Sequence, residues 1–155
     1  MQYDSYPSPL NNALWFGLAE SPEHFHIGYY SILDKKPVVQ FRKIPKNHQL
    51  IQREGNEDFL HCMEWVSKGY HHISMRNDTL LWYDLRFGII EMGLDTTGKF
   101  AFPFAYKFVE ENGRYVDVEQ DQPADIDIKE AFGNLWKRLK GIWLLADLMV
   151  NKIQF

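Results

Sequence analysis

The sequence predicts an α+β domain: a twisted, mostly antiparallel sheet of about six to seven strands with two helices packed on it. Two observations lead to this fold class. Short apolar runs are separated by turn residues along most of the chain, which is typical of strands joined as hairpins and meanders. One helical pattern interrupts these runs, and a second one closes the chain. A parallel βαβ winding is less favoured, because its crossovers need more helices than the sequence offers.

The strand-like runs follow one another closely and are joined by turns. Asn112-Gly113 is the strongest turn signal, since both residues tolerate the positive φ of a type I′ hairpin. The turns predicted at Asn77 ("NDT") and at Thr96 ("TTGK") have the same function. In chain order the predicted strands are ALWFGLAE, HFHIGYYSIL, VVQFRKIP, YHHISMR, LLWYDLRFGII, FAFPFAYKFVE and RYVDVEQ.

The first predicted helix lies between the third and fourth of these strands. Asn56 is its predicted N-cap, and Glu57 and Asp58 suit the positive end of the helix dipole. Lys68-Gly69 is the predicted end, with a basic last turn and a glycine cap. The apolar positions that recur at helical spacing are Phe59, Met63 and Val66.

The second predicted helix begins near Asp127, which forms a capping-box pattern with Glu130. Gly141 weakens this helix and is expected to split it. Its apolar stripe, widened by Trp136 and Trp143, consists of Leu135, Leu139, Ile142, Ala146, Met149 and Ile153. The favoured interpretation is that the stripe covers the sheet. Alternatively, its tryptophans and the basic Lys137, Arg138 and Lys140 lie against a membrane surface or a second copy of the chain, so that a homo-oligomer forms through this helix.

Composition fits a single domain and excludes several function classes. The 155 residues, 45% of them hydrophobic, divide into a lead segment (1–12), a sheet with one inserted helix (13–122) and a C-terminal helical segment (125–155). The formal charge of −4 and the lack of an extended basic block argue against nucleic acid as a partner. Cys62 is the only cysteine, which excludes an internal disulfide and a Cys-rich zinc site, and its apolar neighbours predict a place in the core.

Neither end of the chain carries a membrane or export signal. No basic stretch followed by an apolar one opens the sequence, so no signal peptide is predicted. The apolar stretch IWLLADLMV near the end is much shorter than the roughly 20 residues that span a bilayer. The chain as given is therefore expected to be soluble.

The run LLWYDLRFGII carries an acid and a base two residues apart. Strand alternation predicts that Trp82, Asp84 and Arg86 share one side, opposite a core face of Leu81, Tyr83, Leu85, Phe87 and Ile89. A weak ion pair on a sheet face is the favoured interpretation. The functional alternative is a ligand pocket in which Arg86 binds an anion, Trp82 forms a stacking wall and Trp15 completes the lining.

Histidines on a predicted strand give a weaker metal signal. His24 and His26 are two residues apart, so both rings point to one side of the strand. Such pairs bind metals when a third ligand joins them, and His48 is the candidate. An exposed strand face is the favoured interpretation, and the sequence predicts no cofactor in this chain.

Six segments follow one another between Pro7 and Gly141: PSPLNNALWFGLAE, GYYSILD, IPKNHQL, WVSKGYH, LLWYDLRFG and LWKRLKG. In this order they resemble the soluble C-terminal portion of a family of inner-membrane-bound, metal-dependent hydrolases of Bacteroidetes-type bacteria. The family's signature positions match the run from Asp84 to Gly88, and also Pro9, Leu10, Asn11 and Asn12. Asn11 and Asn12 therefore join Trp15, Trp82, Asp84 and Arg86 as candidate ligand-binding residues. After Gly141 the sequence departs from the family pattern.

The resemblance implies an accessory role for this chain. In that family an N-terminal half of several membrane helices carries the histidines and aspartates that suggest metal and hydrolase chemistry. The resemblance therefore implies a parent protein in the bacterial inner membrane, with a divalent metal in the half that is missing here, and no catalytic residue is carried over. That membrane half is the expected partner. Two alternatives remain: a stand-alone small-molecule or partner-binding module around Asp84 and Arg86, and a metalloenzyme that uses His24, His26 and His48.

Overall fold

Eight strands and two helices form the part of the chain that the computed structural model describes, residues 3–8, 12–89, 102–121 and 128–142. The strands make two four-stranded antiparallel sheets, each with neighbours in chain order. The first sheet contains β1 (Tyr3–Pro7), β2 (Leu14–Glu20), β3 (His24–Ser31) and β4 (Phe41–Pro45). The second contains β5 (His71–Arg76), β6 (Thr79–Asp84), β7 (Ala105–Glu111) and β8 (Arg114–Asp121). The helices are α1 (Glu57–Ser67) and α2 (Ile128–Leu139).

The α+β class is confirmed, but the prediction of a single sheet is wrong. β4 ends at Pro45, which has no N–H to continue a ladder, and α1 intervenes before β5. Isolated hydrogen bonds cross the junction, such as those from Ile73 N to Lys46 O and from Asn47 Nδ2 to Ile73 O, both 3.0 Å. Each helix also packs against a different sheet, rather than both against one.

β1 lies within the segment that we predicted as a lead. Its side chains alternate between exposed and half-buried, with Tyr3 78% exposed, so the strand carries no apolar pattern that sequence reasoning could detect. It pairs with β2 along the edge of the first sheet. Pro7 at its end is compatible with an edge position.

Both described hairpin turns of the second sheet were predicted correctly. Asn112 and Gly113 have φ values of 52° and 80°, and Asn77 and Asp78 have values of 50° and 62°. Positive φ at both central residues is the requirement of a type I′ turn, which matches the twist of the strands. The turn predicted at Thr96 lies outside the described residues.

The first core lies between the first sheet and the residues that flank the strands of the second sheet, namely Tyr70, Leu85, Ile89 and Phe102. Tyr29 of β3 ties the two together: its hydroxyl donates to Ile89 O at 3.0 Å and accepts from Ile89 N at 2.8 Å. The buried members are Phe16, Leu18, Phe25, Ile27, Ile44, Tyr70, Leu85, Ile89 and Phe102.

The second core lies between α1 and the second sheet. Leu60 and Met63 of the helix pack on the sheet residues, whereas Val66 and Cys62 are exposed, so their predicted places in the apolar stripe and the core are wrong. The side of α1 that faces the sheet carries Leu60, Met63 and Ser67, which are spaced three and four residues apart, so Cys62 and Val66 point away from it. Besides the two α1 residues, the buried members are Ile51, Ile73, Leu80, Trp82, Phe108 and Tyr115.

Asn56 precedes α1 as predicted, but its side chain does not cap the helix. It is buried and bridges the helix start to the β7–β8 hairpin, since Oδ1 accepts from Tyr115 N at 2.7 Å and Nδ2 donates to Gly113 O at 3.2 Å. The end at Lys68-Gly69 was predicted correctly: both residues have positive φ, and Gly69 N donates to Glu64 O. The predicted basic last turn is wrong, because Lys68 is the cap that follows the helix and the last turn contains no basic residue.

The continuous strand predicted over 80–90 is wrong, because β6 ends at Asp84 and Leu85–Phe87 forms a 3₁₀ turn. Asp84 Oδ1 accepts from Arg86 N at 3.0 Å, a local hydrogen bond that competes with strand pairing. Leu80, Leu81 and Trp82 are buried in succession, so both faces of β6 are covered, and Phe87 of the predicted core face is 42% exposed.

α2 ends earlier than the predicted stripe. Gly141 has a φ of 76°, and a Cβ built there would lie 2.6 Å from Leu33 O. The predicted start at Asp127 and the stripe beyond Ile142 lie outside the described residues. Among the described helices, none has the length and apolar character needed to cross a membrane.

Candidate functional site

Asp84 and Arg86 form an ion pair that largely satisfies itself. Asp84 is 1% exposed and the Arg86 side chain 20%. The carboxylate accepts from Nη2 at 2.6 Å and from Nε at 3.0 Å, and these hydrogen bonds raise the pKa of Arg86 above its ordinary value. The ring of Phe87 lies 5.5 Å from the guanidinium carbon. The prediction that Asp84 stays out of the core is wrong, and the arginine is already committed to a buried carboxylate.

The other predicted pocket residues do not join this pair. Trp82 is fully buried and lies parallel to the rings of His71 (3.7 Å) and Phe108 (5.7 Å), which leaves no face for a ligand. Trp15 is 39% exposed and donates its indole N–H to Asn12 O at 2.9 Å. Asn11 lies outside the described residues. The structure therefore forms two separate pairs, Asp84 with Arg86 and Asn12 with Trp15, and Trp82 is open to neither.

The two histidines of β3 share one strand face, as predicted, in an environment that disfavours a cation. Lys43 of β4 stands opposite His26 in the register. Burial, the neighbouring His24 and Lys43 all lower the pKa of His26, whose Nε2 lies 3.2 Å from Ser21 Oγ. In the described part of the chain, no group of three or more His, Cys, Asp or Glu side chains is arranged to hold a metal.

His48 lies away from these two histidines, at the end of a stack of rings in which it contacts His71. The two imidazoles are parallel with centroids 4.2 Å apart, and His71 in turn lies on Trp82. Burial, followed by the charge of His48, lowers the pKa of His71 from 6.5 to about 2. Its Nδ1 is 3.4 Å from Ser67 Oγ, and its buried Nε2 has no hydrogen-bond partner among the described residues. His71 is therefore a neutral ring of the core.

α2 is attached to the first sheet through buried polar groups. Arg138 and Asn134 are 3% and 5% exposed. Arg138 donates in parallel to the two oxygens of Asp34, each at 2.7 Å, and donates to Tyr29 O at 2.8 Å. The Asp34 side chain is completely buried. Such a bidentate, desolvated pair fixes the orientation of the helix as well as its position.

The turn that follows β3 completes this attachment. Ser31 Oγ donates to Leu139 O at 2.5 Å, and Ser31 N donates to Asp34 Oδ2 at 2.9 Å. The close approach of Gly141 to Leu33 O lies at the same place. The end of α2 is thus held against this turn by several directional contacts.

The opposite side of α2 is aromatic and basic. Phe132 and Trp136, four residues apart, are 53% and 58% exposed. Lys140, one turn further, places its Nζ 5.0 Å from the Trp136 ring, and Lys137 is exposed beside them. We call Phe132, Trp136, Lys137 and Lys140 the outer face of α2. The helix therefore buries an arginine and an asparagine and exposes two large aromatic side chains, the reverse of an ordinary surface helix.

This arrangement corrects two predictions. Trp136 does not widen a buried stripe, and Arg138 does not belong to a basic surface, because Asp34 holds it in the interior. Helical spacing shows which residues share a face but not which face is buried. The signal that sequence reasoning missed is Asp34, an acid that no local pattern connects with a helix 104 residues later.

Comparisons with protein-family models, with curated proteins and with solved structures found no match for this chain.

Proposed function

We propose that this chain is an accessory domain of a membrane-bound, metal-dependent hydrolase of the bacterial inner membrane, whose catalytic half lies outside the chain. Its own work is to bind a partner through the outer face of α2. The observation that carries this proposal is the reversed helix, in which Phe132 and Trp136 are exposed while Arg138 is buried. Exposed aromatic side chains grouped on one helix face are typical of interaction surfaces. The six segments that resemble the family support the membrane-bound parent.

The rival function, a small-molecule module around Asp84 and Arg86, has less support. A fifth of the Arg86 side chain is exposed, which is the observation in its favour. Binding an anion there requires the guanidinium to leave a carboxylate that is 1% exposed. An uncompensated buried charge costs several kcal/mol, so a ligand must first offset that loss.

Site-specific photocrosslinking in cells tests the proposal. The full-length gene product carries a photoreactive phenylalanine analogue in place of Phe132 or of Trp136, and a matched control carries it in place of Trp65, which is 76% exposed on α1. We expect crosslinked products, recovered with the membrane fraction, from the two α2 positions but not from the control. Equal labelling at all three positions, or none at any, would contradict a docking role for this face.

A further inference from the structure

We propose that the outer face of α2 binds a negatively charged membrane surface. This inference rests on the proposed function and names the partner of the same surface. Its starting point is the combination of side chains: Phe132 and Trp136 are exposed on the same side of the helix as Lys140, and Lys137 is exposed next to Trp136 in the chain. Tryptophan prefers the boundary between the acyl chains and the headgroups, and lysines beside it contact anionic headgroups.

Charge separates this helix from the rest of the molecule. The whole chain has a formal charge of −4. The sequence of α2 contains one acid, Glu130, against three basic residues, Lys129, Lys137 and Arg138, and Lys140 follows directly after the helix. Lys129, Lys137 and Lys140 are exposed. An acidic domain with one basic, aromatic helix is attracted to an anionic surface in a single orientation, with that helix towards the lipid.

The same charges argue against a second copy as the occupant. A symmetric dimer built on this face brings the same patch from both chains into one interface, so Lys137 and Lys140 of each chain place four lysines there and no acid of the outer face. Like charges brought together at an interface cost free energy. A surface of phosphate groups is negatively charged, so each lysine of the outer face strengthens binding to it.

The helix is also preorganised for this contact. Many membrane-surface helices must fold as they bind, which reduces their affinity. α2 is already held by the Arg138–Asp34 pair and by the hydrogen bond from Ser31 to Leu139 O. The outer face is thus presented without a folding cost, and the aromatic side chains enter the interface as a unit.

Co-sedimentation of the purified chain with lipid vesicles tests the inference. One set of vesicles contains phosphatidylcholine alone and the other adds phosphatidylglycerol. We expect binding to the anionic vesicles that weakens as salt is raised. The variant with Lys137→Gln and Lys140→Gln should bind them roughly 25-fold more weakly, at about fivefold per lysine. Phe132→Ser and Trp136→Ser should each reduce binding about tenfold.

Two control variants make the result specific to the outer face. Lys43→Gln combined with Lys68→Gln removes the same charge from exposed positions elsewhere, and Trp65→Ser removes an exposed tryptophan from α1. Both should bind like the wild type. Equal binding to the two kinds of vesicle, or equal losses in the control variants, would overturn the inference. So would self-association in sedimentation velocity that Trp136→Ser abolishes, because it would make a second copy the occupant.

The two proposals fail in distinguishable ways. If the chain ignores anionic vesicles but the α2 positions crosslink to a membrane protein in cells, the docking function holds and the lipid inference is wrong. If neither vesicles nor crosslinks are found, both are wrong. Vesicle binding lost in the α2 variants, with crosslinks to lipid from the same positions, supports both.

Discussion

The two helices attach to their sheets by opposite means. α1 lays Leu60 and Met63 onto the second sheet, an apolar contact whose free energy depends on buried area and close packing. α2 uses Arg138 and Asp34, whose contribution depends on geometry and on removing both charges from water together. An apolar contact tolerates small shifts, whereas a bidentate pair does not. Because the Arg138–Asp34 pair anchors α2, the helix does not need to bury Phe132 and Trp136 to stay attached.

Breaking the polar attachment should have the largest effect. Arg138→Ala leaves the fully buried Asp34 carboxylate without its counter-charge, and we expect it to lower the free energy of unfolding by about 3–5 kcal/mol. Urea denaturation measures the change. The double variant Arg138→Met with Asp34→Leu should recover much of the loss, because it removes both charges. If Arg138→Ala alone were as stable as the wild type, the pair would not hold α2.

Breaking the apolar attachment should cost slightly less. Leu60 is 1% exposed, so Leu60→Ala opens a cavity beneath α1 and should destabilise the protein by about 3 kcal/mol. Phe132→Ala on α2 is the matched change at an exposed position and should stay within about 0.5 kcal/mol of wild type. Thermal or urea unfolding of the two variants gives the contrast. Equal losses would mean that Phe132 packs like a core residue.

A polar contact also supports α1, and it offers a sharper comparison. Asn56→Ala leaves the N–H of buried Tyr115 and the carbonyl of Gly113 without their partner, and should cost about 2 kcal/mol. Hydrogen exchange of the Tyr115 amide should accelerate together with the loss of stability. Unchanged protection of that amide would show that the bridge between α1 and the hairpin is dispensable.

Acid should weaken the core beneath α1 through His71. Its pKa is about 2 in the folded protein against 6.5 ordinarily, so the unfolded chain binds more protons as the pH falls below 6.5. The contribution of His71 to the free energy of unfolding is therefore fully present above pH 6.5. It decreases below that pH by about 1.4 kcal/mol for each pH unit. His71→Phe keeps a planar ring and removes the titration, so its unfolding free energy between pH 7 and pH 5 should fall less steeply than that of the wild type. Identical slopes would exclude His71 as the cause.

Local features of the fold were predictable from the sequence. The Asn112-Gly113 turn and the C-terminal end of α1 depend on residues next to one another, so their signals are complete in a short stretch of chain. Asp84 shows where such reasoning fails: alternation treats it as one more strand residue, whereas its carboxylate binds the N–H and the guanidinium of Arg86 and ends the strand. An acid two residues before an arginine could have indicated this turn.

Nonlocal features were not predictable in the same way. The outward direction of Phe132 and Trp136 depends on Asp34, which is remote in sequence, and β1 has no apolar alternation because it lies at a sheet edge. The candidate surface was present in the sequence as one of two interpretations of the C-terminal stripe. The structure contradicts part of each interpretation for the described part of α2, because Trp136 is exposed and Arg138 is buried against Asp34. The membrane-bound parent remains a prediction from resemblance.

The Arg138–Asp34 pair also has a consequence for the order of folding. It joins residues 104 positions apart, while the hairpins of both sheets join residues that are close in the chain. Closing the longer loop costs more chain entropy, and the ion pair that offsets this cost can form only after the turn that follows β3 has formed. We therefore expect α2 to dock last and to detach first, as a cooperative unit that opens while both sheets stay intact.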